Sequence, residues 1–203
     1  MSVNKLLIPK WKKRTDETHQ EHQKNYNGKQ FDIVFIGDSM MERWGTTGKE
    51  YLVKMEKDLS VALMGVGGDG IENLLYRLQD ERSILENITI NRCIYLMIGT
   101  NNLEKISTEH MVDGIKNIIQ IIKIKGKVTI KLSLLPYRSD VDKKKIDGVN
   151  LGIKTMVESM QNVECHSIFD LFTFDTDYDD HVHFNEIGYQ KWYSFINNQH
   201  FKT

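Results

Sequence analysis

Two short segments of the sequence carry residue types that together could perform nucleophilic catalysis. Ser39 follows the apolar segment FDIVFIG (31–37), and a helical pattern begins directly after it. Asp180 and His183 lie three residues apart in the segment DYDDHVHFNEIGY (177–189). A serine becomes a nucleophile when a base accepts its proton, and the base needs a third group that orients it. A carboxylate three residues before a histidine can fold back onto its Nδ1–H, which leaves Nε2 for the serine.

Each of these residues also has an interpretation without catalysis. A serine at a strand–helix junction is most often an N-cap that bonds a backbone N–H. A single D-x-x-H motif is weakly informative in an acidic loop, where Asp177 and Asp179 are expected to be solvated charges. His181 is a rival base, with Asp177 or Asp179 as its carboxylate. The spacing to Asp180 favours His183.

A glycine motif in the segment VALMGVGGDGIENLLYRL has three interpretations. Gly65, Gly67 and Gly70 form G-x-G-x-x-G between an apolar run and a helical pattern, as in dinucleotide-binding loops. That role also requires an acidic residue at the end of the next strand, but the next apolar run ends in MIGTNN (97–102). The alternatives are a tight turn without a chemical role and a loop that points a backbone N–H at an oxyanion. The oxyanion interpretation needs a nucleophile nearby, and Ser39 supplies one.

Apolar runs and helical patterns alternate along the chain after residue 30. Continuous apolar runs predict strands that are buried on both faces. The alternation is typical of an α/β protein with a parallel sheet, in which ligands bind at the carboxyl ends of the strands. The helix predicted over 107–126 ends near Gly126. The strands are predicted at 31–37, 60–65, 92–99, 127–136 and 163–169, and the loops after them contain Ser39, the glycine motif, Asn101, residues 135–137 and His183.

Composition and charge limit the class of protein. The 203 residues are 40% apolar and 27% charged, which predicts a globular chain, and the net charge of −1 gives no reason to expect nucleic acid as a partner. The two cysteines are far apart, and no apolar run is long enough for a signal peptide or a membrane span. We therefore expect a cytoplasmic protein without stable membrane insertion.

The first 30 residues differ in composition from the rest of the chain. Residues 1–30 are polar and basic, with Trp11 as the one large apolar anchor, and His19 and His22 are expected at the solvated surface. We expect this segment to form an N-terminal arm that packs on a single domain comprising residues 31–203.

Four polar segments, taken in order, resemble the motif blocks of the SGNH (GDSL-type) hydrolases. GDS (37–39) is similar to their first block, GVGGDG (65–70) to the second, GTNN (99–102) to the third and DHVH (180–183) to the fifth. Within this family, the segments VFIGDSM, GVGGDGIENLLYRL and MIGTNN are most similar to the catalytic subunits of the intracellular platelet-activating factor acetylhydrolases. The resemblance covers about residues 31–199.

The resemblance implies a role for each matching residue. Ser39 would be the nucleophile, His183 the general base and Asp180 the carboxylate that orients it. The oxyanion hole would consist of the Ser39 N–H, the Gly68 N–H and the side-chain amide of Asn101. Gly68 is assigned from the match to the family's second block, because the residues alone do not distinguish it from the glycine before it. No metal ion or organic cofactor would be required.

The resemblance also implies the fold and the reaction. The fold would be α/β, a flavodoxin-like three-layer α/β/α sandwich with a five-stranded parallel sheet. The chain would be a serine esterase for short-chain, above all acetyl, esters of small molecules, and it would form a homodimer. Alternatives are a carbohydrate O-acetylesterase or a lysophospholipase of the same family and, more remotely, a catalytically silent binding protein or a nucleotide-binding oxidoreductase. Met40 and Phe184 depart from the residues common in the family, but neither is expected to touch a catalytic atom.

Overall fold

A parallel sheet forms the centre of the molecule. The computed structural model describes residues 4–79, 82–125 and 128–200. Within these ranges the sheet has five strands, which are Gln30–Gly37 (β1), Val61–Gly65 (β2), Thr89–Met97 (β3), Thr129–Ser133 (β4) and Val163–His166 (β5). All neighbouring strands are parallel, in the order β2-β1-β3-β4-β5.

Helices cover both faces of this sheet. The described α-helices are Lys13–Tyr26 (α1), Ser39–Glu42 (α2), Lys49–Met55 (α3), Ile71–Arg77 (α4), Thr108–Lys125 (α5), Lys143–Val157 (α6), Phe174–Asp177 (α7) and Glu186–His200 (α8). Helices α4, α5 and α6 pack on one face, and α2, α3 and α8 pack on the other. The predicted α/β sandwich with a five-stranded parallel sheet is therefore confirmed. The predicted end of α5 at Gly126 lies outside the described residues.

Strand β1 contributes to two separate cores. Val34 and Ile36 point into the core under α4, α5 and α6, whereas Ile33 and Phe35 point into the core under α2, α3 and α8. All four side chains are fully buried, which explains why the strand reads as a continuous apolar run. Trp44 stacks on Phe35 with ring centroids 5.2 Å apart, and this contact anchors the segment after α2 to the sheet.

The N-terminal segment is anchored by a different residue from the predicted one. Trp11 is 58% exposed, so the prediction that it anchors the segment is wrong. Leu6 is 2% exposed instead, and its segment packs against α4 and α5. The division of the chain at residue 30 stays a prediction. None of the helices in the described ranges combines the length and apolarity needed to cross a membrane.

Two histidines of α1 face the interior, so the prediction that they are solvated is wrong. His19 is buried, and its Nε2 lies 2.8 Å from the carbonyl oxygen of Arg82. His22 is half-buried and stacks on the ring of Tyr26. Burial lowers the pKa of both imidazoles, to about 3 for His22. Both side chains are therefore neutral at pH 7.

The carboxyl ends of the strands bring the polar loops to one edge of the sheet. Gly37, the last residue of β1, lies beside Gly65 of β2 on one side and Met97 of β3 on the other. A Cβ on Gly37, where φ is +155°, would lie 1.8 Å from the carbonyl oxygen of Met97. Only glycine fits this close approach, and the chain then reaches Ser39 two residues later.

Candidate active site

Asp38 is the N-cap of α2, and Ser39 is the first residue of that helix. The Oδ1 atom of Asp38 accepts a hydrogen bond from the N–H of Met40 at 3.0 Å. The interpretation of Ser39 as an N-cap is therefore wrong, and its hydroxyl remains available for another partner. The backbone N–H of Ser39 lies in the first turn of α2, where helical N–H groups have no partner within the helix.

The hydroxyl of Ser39 is joined to His183 by a hydrogen bond. The distance between Ser39 Oγ and His183 Nε2 is 2.8 Å, although the two residues are 144 positions apart. On the other side of the ring, His183 Nδ1 lies 2.8 Å from Asp180 Oδ2. A hydroxyl, an imidazole and a carboxylate thus form a continuous chain of hydrogen bonds, in which the imidazole can accept the hydroxyl proton while the carboxylate holds its ring.

The Asp180 carboxylate is fixed by a turn of its own loop. Its Oδ1 accepts the N–H groups of Val182 at 2.8 Å and His183 at 2.7 Å. Burial raises the pKa of Asp180, but the hydrogen bonds from the His183 ring and from these two backbone groups outweigh it and hold the pKa well below its usual range. The group is therefore ionised at neutral pH.

The rival histidine, His181, contacts a carboxylate outside its own segment. The Nε2 atom of His181 lies 3.4 Å from Asp140 Oδ2, and half of its side chain is exposed. Its carboxylate partner is therefore neither Asp177 nor Asp179. Asp177 is fully buried and accepts a hydrogen bond from the ammonium of Lys191 at 2.7 Å, so the prediction that it is a solvated charge is wrong.

The glycine loop and Asn101 are in direct contact. Gly68 has a φ of +77°, a conformation that side chains disfavour, and its carbonyl oxygen accepts a hydrogen bond from Lys12 Nζ at 2.9 Å. The side-chain amide of Asn101 donates to the carbonyl oxygen of Asp69 at 2.9 Å. The loops that carry two of the predicted oxyanion donors, Gly68 and Asn101, are therefore joined by a hydrogen bond.

The N-terminus of α4 is occupied by a side chain, which argues against a dinucleotide site. The N–H of Ile71 donates to Asn102 Oδ1 at 2.9 Å, and the N–H of Gly70 donates to Asn73 Oδ1 at 2.9 Å. In a dinucleotide-binding loop, N–H groups at this position bind the pyrophosphate. In this protein, the side chains of Asn73 and Asn102 already accept the hydrogen bonds from these N–H groups.

Sequence reasoning missed the buried arginine that supports the glycine loop. Arg77 is fully buried and donates from Nε to Asp69 Oδ2 at 2.9 Å, from Nη1 to the carbonyl of Met64 at 2.9 Å, and from Nη2 to the carbonyl of Gly37 at 3.0 Å. The hydroxyl of Thr15 donates to the other oxygen of Asp69 at 2.5 Å. One guanidinium thus ties the ends of β1 and β2 to the loop between β2 and α4. The only signal in the sequence was the aspartate of the GVGGDG block.

Asp38, which directly precedes Ser39, has a fully buried carboxyl group. Burial raises its pKa to about 7, while the hydrogen bond from the N–H of Met40 opposes the rise. Among the described residues, its Oδ2 has no hydrogen-bond partner. A substantial fraction of this carboxyl is therefore protonated at neutral pH, and the protonated form is less costly to bury than the charged one.

Comparisons with known proteins agree with the fold and with the predicted family. Residues 35–191 match the GDSL-like lipase/acylhydrolase family. The alpha2 subunit of platelet-activating factor acetylhydrolase IB from Rattus norvegicus is 29% identical over 165 residues, covering 70% of this chain and 68% of the relative.

Two solved structures share the fold at low sequence identity. A GDSL-like lipase from Bacteroides thetaiotaomicron superposes with a TM-score of 0.72 at 15% identity, covering 91% of this chain and 96% of that one. An acetyl xylan esterase from Geobacillus stearothermophilus has a TM-score of 0.61 at 16% identity, with 88% and 97% covered. Because the family match extends over most of the chain, this protein is a hydrolase that belongs to the GDSL-like lipase/acylhydrolase family.

Proposed function

We propose that the protein is a serine esterase that hydrolyses short-chain esters, above all acetyl esters, through an acyl-enzyme on Ser39. The observation that carries the proposal is the pair of 2.8 Å contacts that join Ser39 Oγ to His183 Nε2 and His183 Nδ1 to Asp180. An alcohol in this arrangement loses its proton to the imidazole as it attacks a carbonyl carbon.

In the acylation step, Ser39 Oγ forms a bond to the ester carbonyl carbon while His183 Nε2 takes the hydroxyl proton. The electrons of the carbonyl double bond move to its oxygen, and the resulting oxyanion accepts hydrogen bonds from three donors. We assign these to the Ser39 N–H, the Gly68 N–H and the Asn101 amide. The tetrahedral intermediate then expels the alkoxide, which takes the proton from His183 and leaves as the alcohol.

In the deacylation step, water replaces the serine as the nucleophile. His183 removes a proton from the water as it attacks the acyl carbon, and the same donors bind the second oxyanion. The intermediate collapses, releases the carboxylic acid and returns the proton to Ser39 Oγ. Asp180 remains ionised throughout and stabilises the imidazolium that forms twice in each cycle.

The contact of Asn101 with the glycine loop supports its assignment as a donor. A side-chain amide carries two N–H groups. One of them donates to the Asp69 carbonyl, which holds the amide plane against the loop that carries Gly68. We assign the other N–H to the oxyanion.

Relatives support acetyl as the acyl group. A sequence relative is named for acetylhydrolase activity on platelet-activating factor, and a structural relative is named an acetyl xylan esterase. The two names differ in the alcohol and share the acetyl group, so we propose acetyl specificity and treat a phospholipid and a carbohydrate as competing sources of the alcohol. A homodimer and a cytoplasmic location remain predictions.

Replacement of Ser39 tests the proposed function. We expect Ser39→Ala to reduce kcat for p-nitrophenyl acetate by at least about three orders of magnitude, because the nucleophile is removed. Ser194→Ala, on the exposed face of α8, is the matched control and should retain wild-type turnover. A fluorophosphonate probe should label wild type and the control but not Ser39→Ala. Near-wild-type turnover in Ser39→Ala would contradict the proposal.

A panel of esters tests the substrate class. We expect kcat/KM to decrease from p-nitrophenyl acetate to butyrate to octanoate. Acetylated xylan and a 2-acetyl glycerophospholipid, compared at equal ester concentration, then identify the preferred alcohol. A higher kcat/KM for octanoate than for acetate would contradict acetyl specificity and favour a lysophospholipase.

A further inference from the structure

The loop between β4 and α6 (residues 134–142), called here the β4 loop, contacts both the loop that carries Asn101 and the segment that carries His183. Its Arg138 side chain is only 9% exposed. Arg138 Nη1 donates to the carbonyl oxygen of Thr100 at 2.8 Å, and Thr100 directly precedes Asn101. The guanidinium also forms a two-point contact with Asp140, from Nε at 2.9 Å and from Nη2 at 2.6 Å.

The same loop is bonded to the segment that carries His183. The N–H of Ser139 donates to the carbonyl oxygen of His181 at 3.1 Å, and the hydroxyl of Tyr178 donates to the carbonyl oxygen of Tyr137 at 3.0 Å. The β4 loop is therefore held against the His183 segment, and Arg138 extends from it to the Asn101 loop.

We propose that Arg138 is a positioning residue that fixes the Asn101 amide relative to His183 and Ser39. The inference rests on the proposed function, because it assigns Arg138 an effect on the reaction through Asn101 alone. A displacement of about 1 Å in such a donor is enough to lower a rate by up to about 100-fold.

The chemistry of the side chain explains why an arginine occupies this position. A guanidinium is planar and presents five N–H groups in fixed directions, so it can bind a carboxylate with one edge and a carbonyl with another. The hydrogen bonds from Arg138 also hold the pKa of Asp140 below its usual range, so this carboxylate stays ionised at neutral pH. A lysine ammonium is a single centre and does not span both partners in this geometry.

Three variants measure this role. We expect Arg138→Met to lower kcat for p-nitrophenyl acetate by about tenfold to 100-fold with KM changed less than about twofold, because an oxyanion donor acts on the transition state. Arg138→Lys keeps the charge and should give an intermediate kcat. Arg92→Met removes an exposed arginine near Asp32 and should retain wild-type kcat. Wild-type kcat in Arg138→Met would overturn the inference, and if that variant does not fold, wild-type kcat in Arg138→Lys would do so.

A double-mutant cycle separates positioning from a general loss of order. If Arg138 acts through Asn101, then Arg138→Met should lower kcat by less than about threefold in an Asn101→Ala background, since the donor is already absent. An equal factor in both backgrounds would overturn the inference, as would an Asn101→Ala variant with wild-type kcat. Loss of activity in Ser39→Ala is unaffected by any of these outcomes, so the inference can fail while the proposed function stands.

Discussion

The guanidinium of Arg77 and the carboxylate of Asp69 form an ion pair in which neither side chain is exposed, with 2.9 Å between Nε and Oδ2. The Nη1 and Nη2 atoms of the same guanidinium each donate to one backbone carbonyl, at the ends of β2 and β1. Because every partner is a fixed backbone or carboxylate oxygen, the pair defines where the glycine loop begins relative to Ser39. Such a pair makes the fold sensitive to the loss of either partner.

We expect Arg77→Met to lower the free energy of unfolding by about 3–5 kcal/mol, because it leaves the Asp69 carboxylate buried without a cation. Urea unfolding followed by circular dichroism measures the change. Lys54→Met, which removes an exposed ion pair with Glu50, is the control and should leave the midpoint close to that of wild type. Equal midpoints for the two variants would contradict a structural role for the buried pair.

Much of the fold and several site positions could be predicted because local patterns encode them. A strand segment that is buried on both faces must be apolar at every position, and residues 33–36 of β1 are. The D-x-x-H spacing of Asp180 and His183 corresponds to the turn in which the carboxylate accepts two backbone N–H groups. These features depend only on neighbouring residues.

The unpredicted features depend on residues distant in the chain. Apart from Asp69, no residue near Arg77 indicates that its side chain turns inward, because its carbonyl partners are 13 and 40 residues away. Leu6 and Trp11 are both apolar, and only the surface offered by α4 and α5 decides which one is buried. Arg138 is likewise indistinguishable from a surface residue in the sequence, because the Thr100 carbonyl that its side chain binds is 38 residues away.

Replacement of Asp180 tests the orienting carboxylate. We expect Asp180→Asn to lower kcat for p-nitrophenyl acetate by about three to four orders of magnitude, because an amide neither selects the His183 tautomer nor stabilises the imidazolium. Asp179→Asn alters the adjacent aspartate, which is half-exposed and lies 3.7 Å from Arg43, and should change kcat by less than about threefold. If both variants kept wild-type kcat, Asp180 would have no part in the reaction.

Replacement of the neighbouring asparagines Asn101 and Asn102 by alanine should affect different properties, kcat for Asn101 and stability for Asn102. We expect Asn101→Ala to lower kcat by about 100-fold to 1000-fold with little change in the melting temperature, as removal of an oxyanion donor does. Asn102→Ala should instead reduce the free energy of unfolding by about 1–3 kcal/mol, because it leaves the N–H of Ile71 without its acceptor. Paired measurements of kcat and thermal melting on both variants check this, and a change in KM alone for Asn101→Ala would exclude it as a donor.

The half-buried imidazole of His22 should make the stability of the protein depend on pH. Burial, with the positive charge of Arg77 nearby, lowers its pKa to about 3 in the folded protein, whereas the unfolded chain titrates near 6.5. The folded state therefore binds fewer protons between these values, so its stabilisation is complete above about pH 6.5 and decreases as the pH falls. Urea unfolding at pH 7, 6 and 5 gives the free energy of unfolding as a function of pH. The slope of this free energy against pH should be smaller by about 1 kcal/mol per pH unit in His22→Gln than in wild type. Identical slopes would place His22 in solvent.

Two glycine-to-alanine changes should have opposite signs. We expect Gly37→Ala to destabilise the protein by more than about 4 kcal/mol, because the new Cβ would overlap the Met97 carbonyl oxygen at 1.8 Å. Gly148→Ala lies inside α6, where a Cβ would meet only Thr108 Oγ1 at 3.7 Å, so the gain in helix propensity should stabilise the fold by about 0.5–1 kcal/mol. Thermal melting of both variants provides the measurement. A Gly37→Ala variant with the melting temperature of wild type would contradict this prediction, because it would mean that β1 and β3 can separate at this edge. Since Ser39 follows two residues later, its hydroxyl would then no longer be held at hydrogen-bond distance from His183.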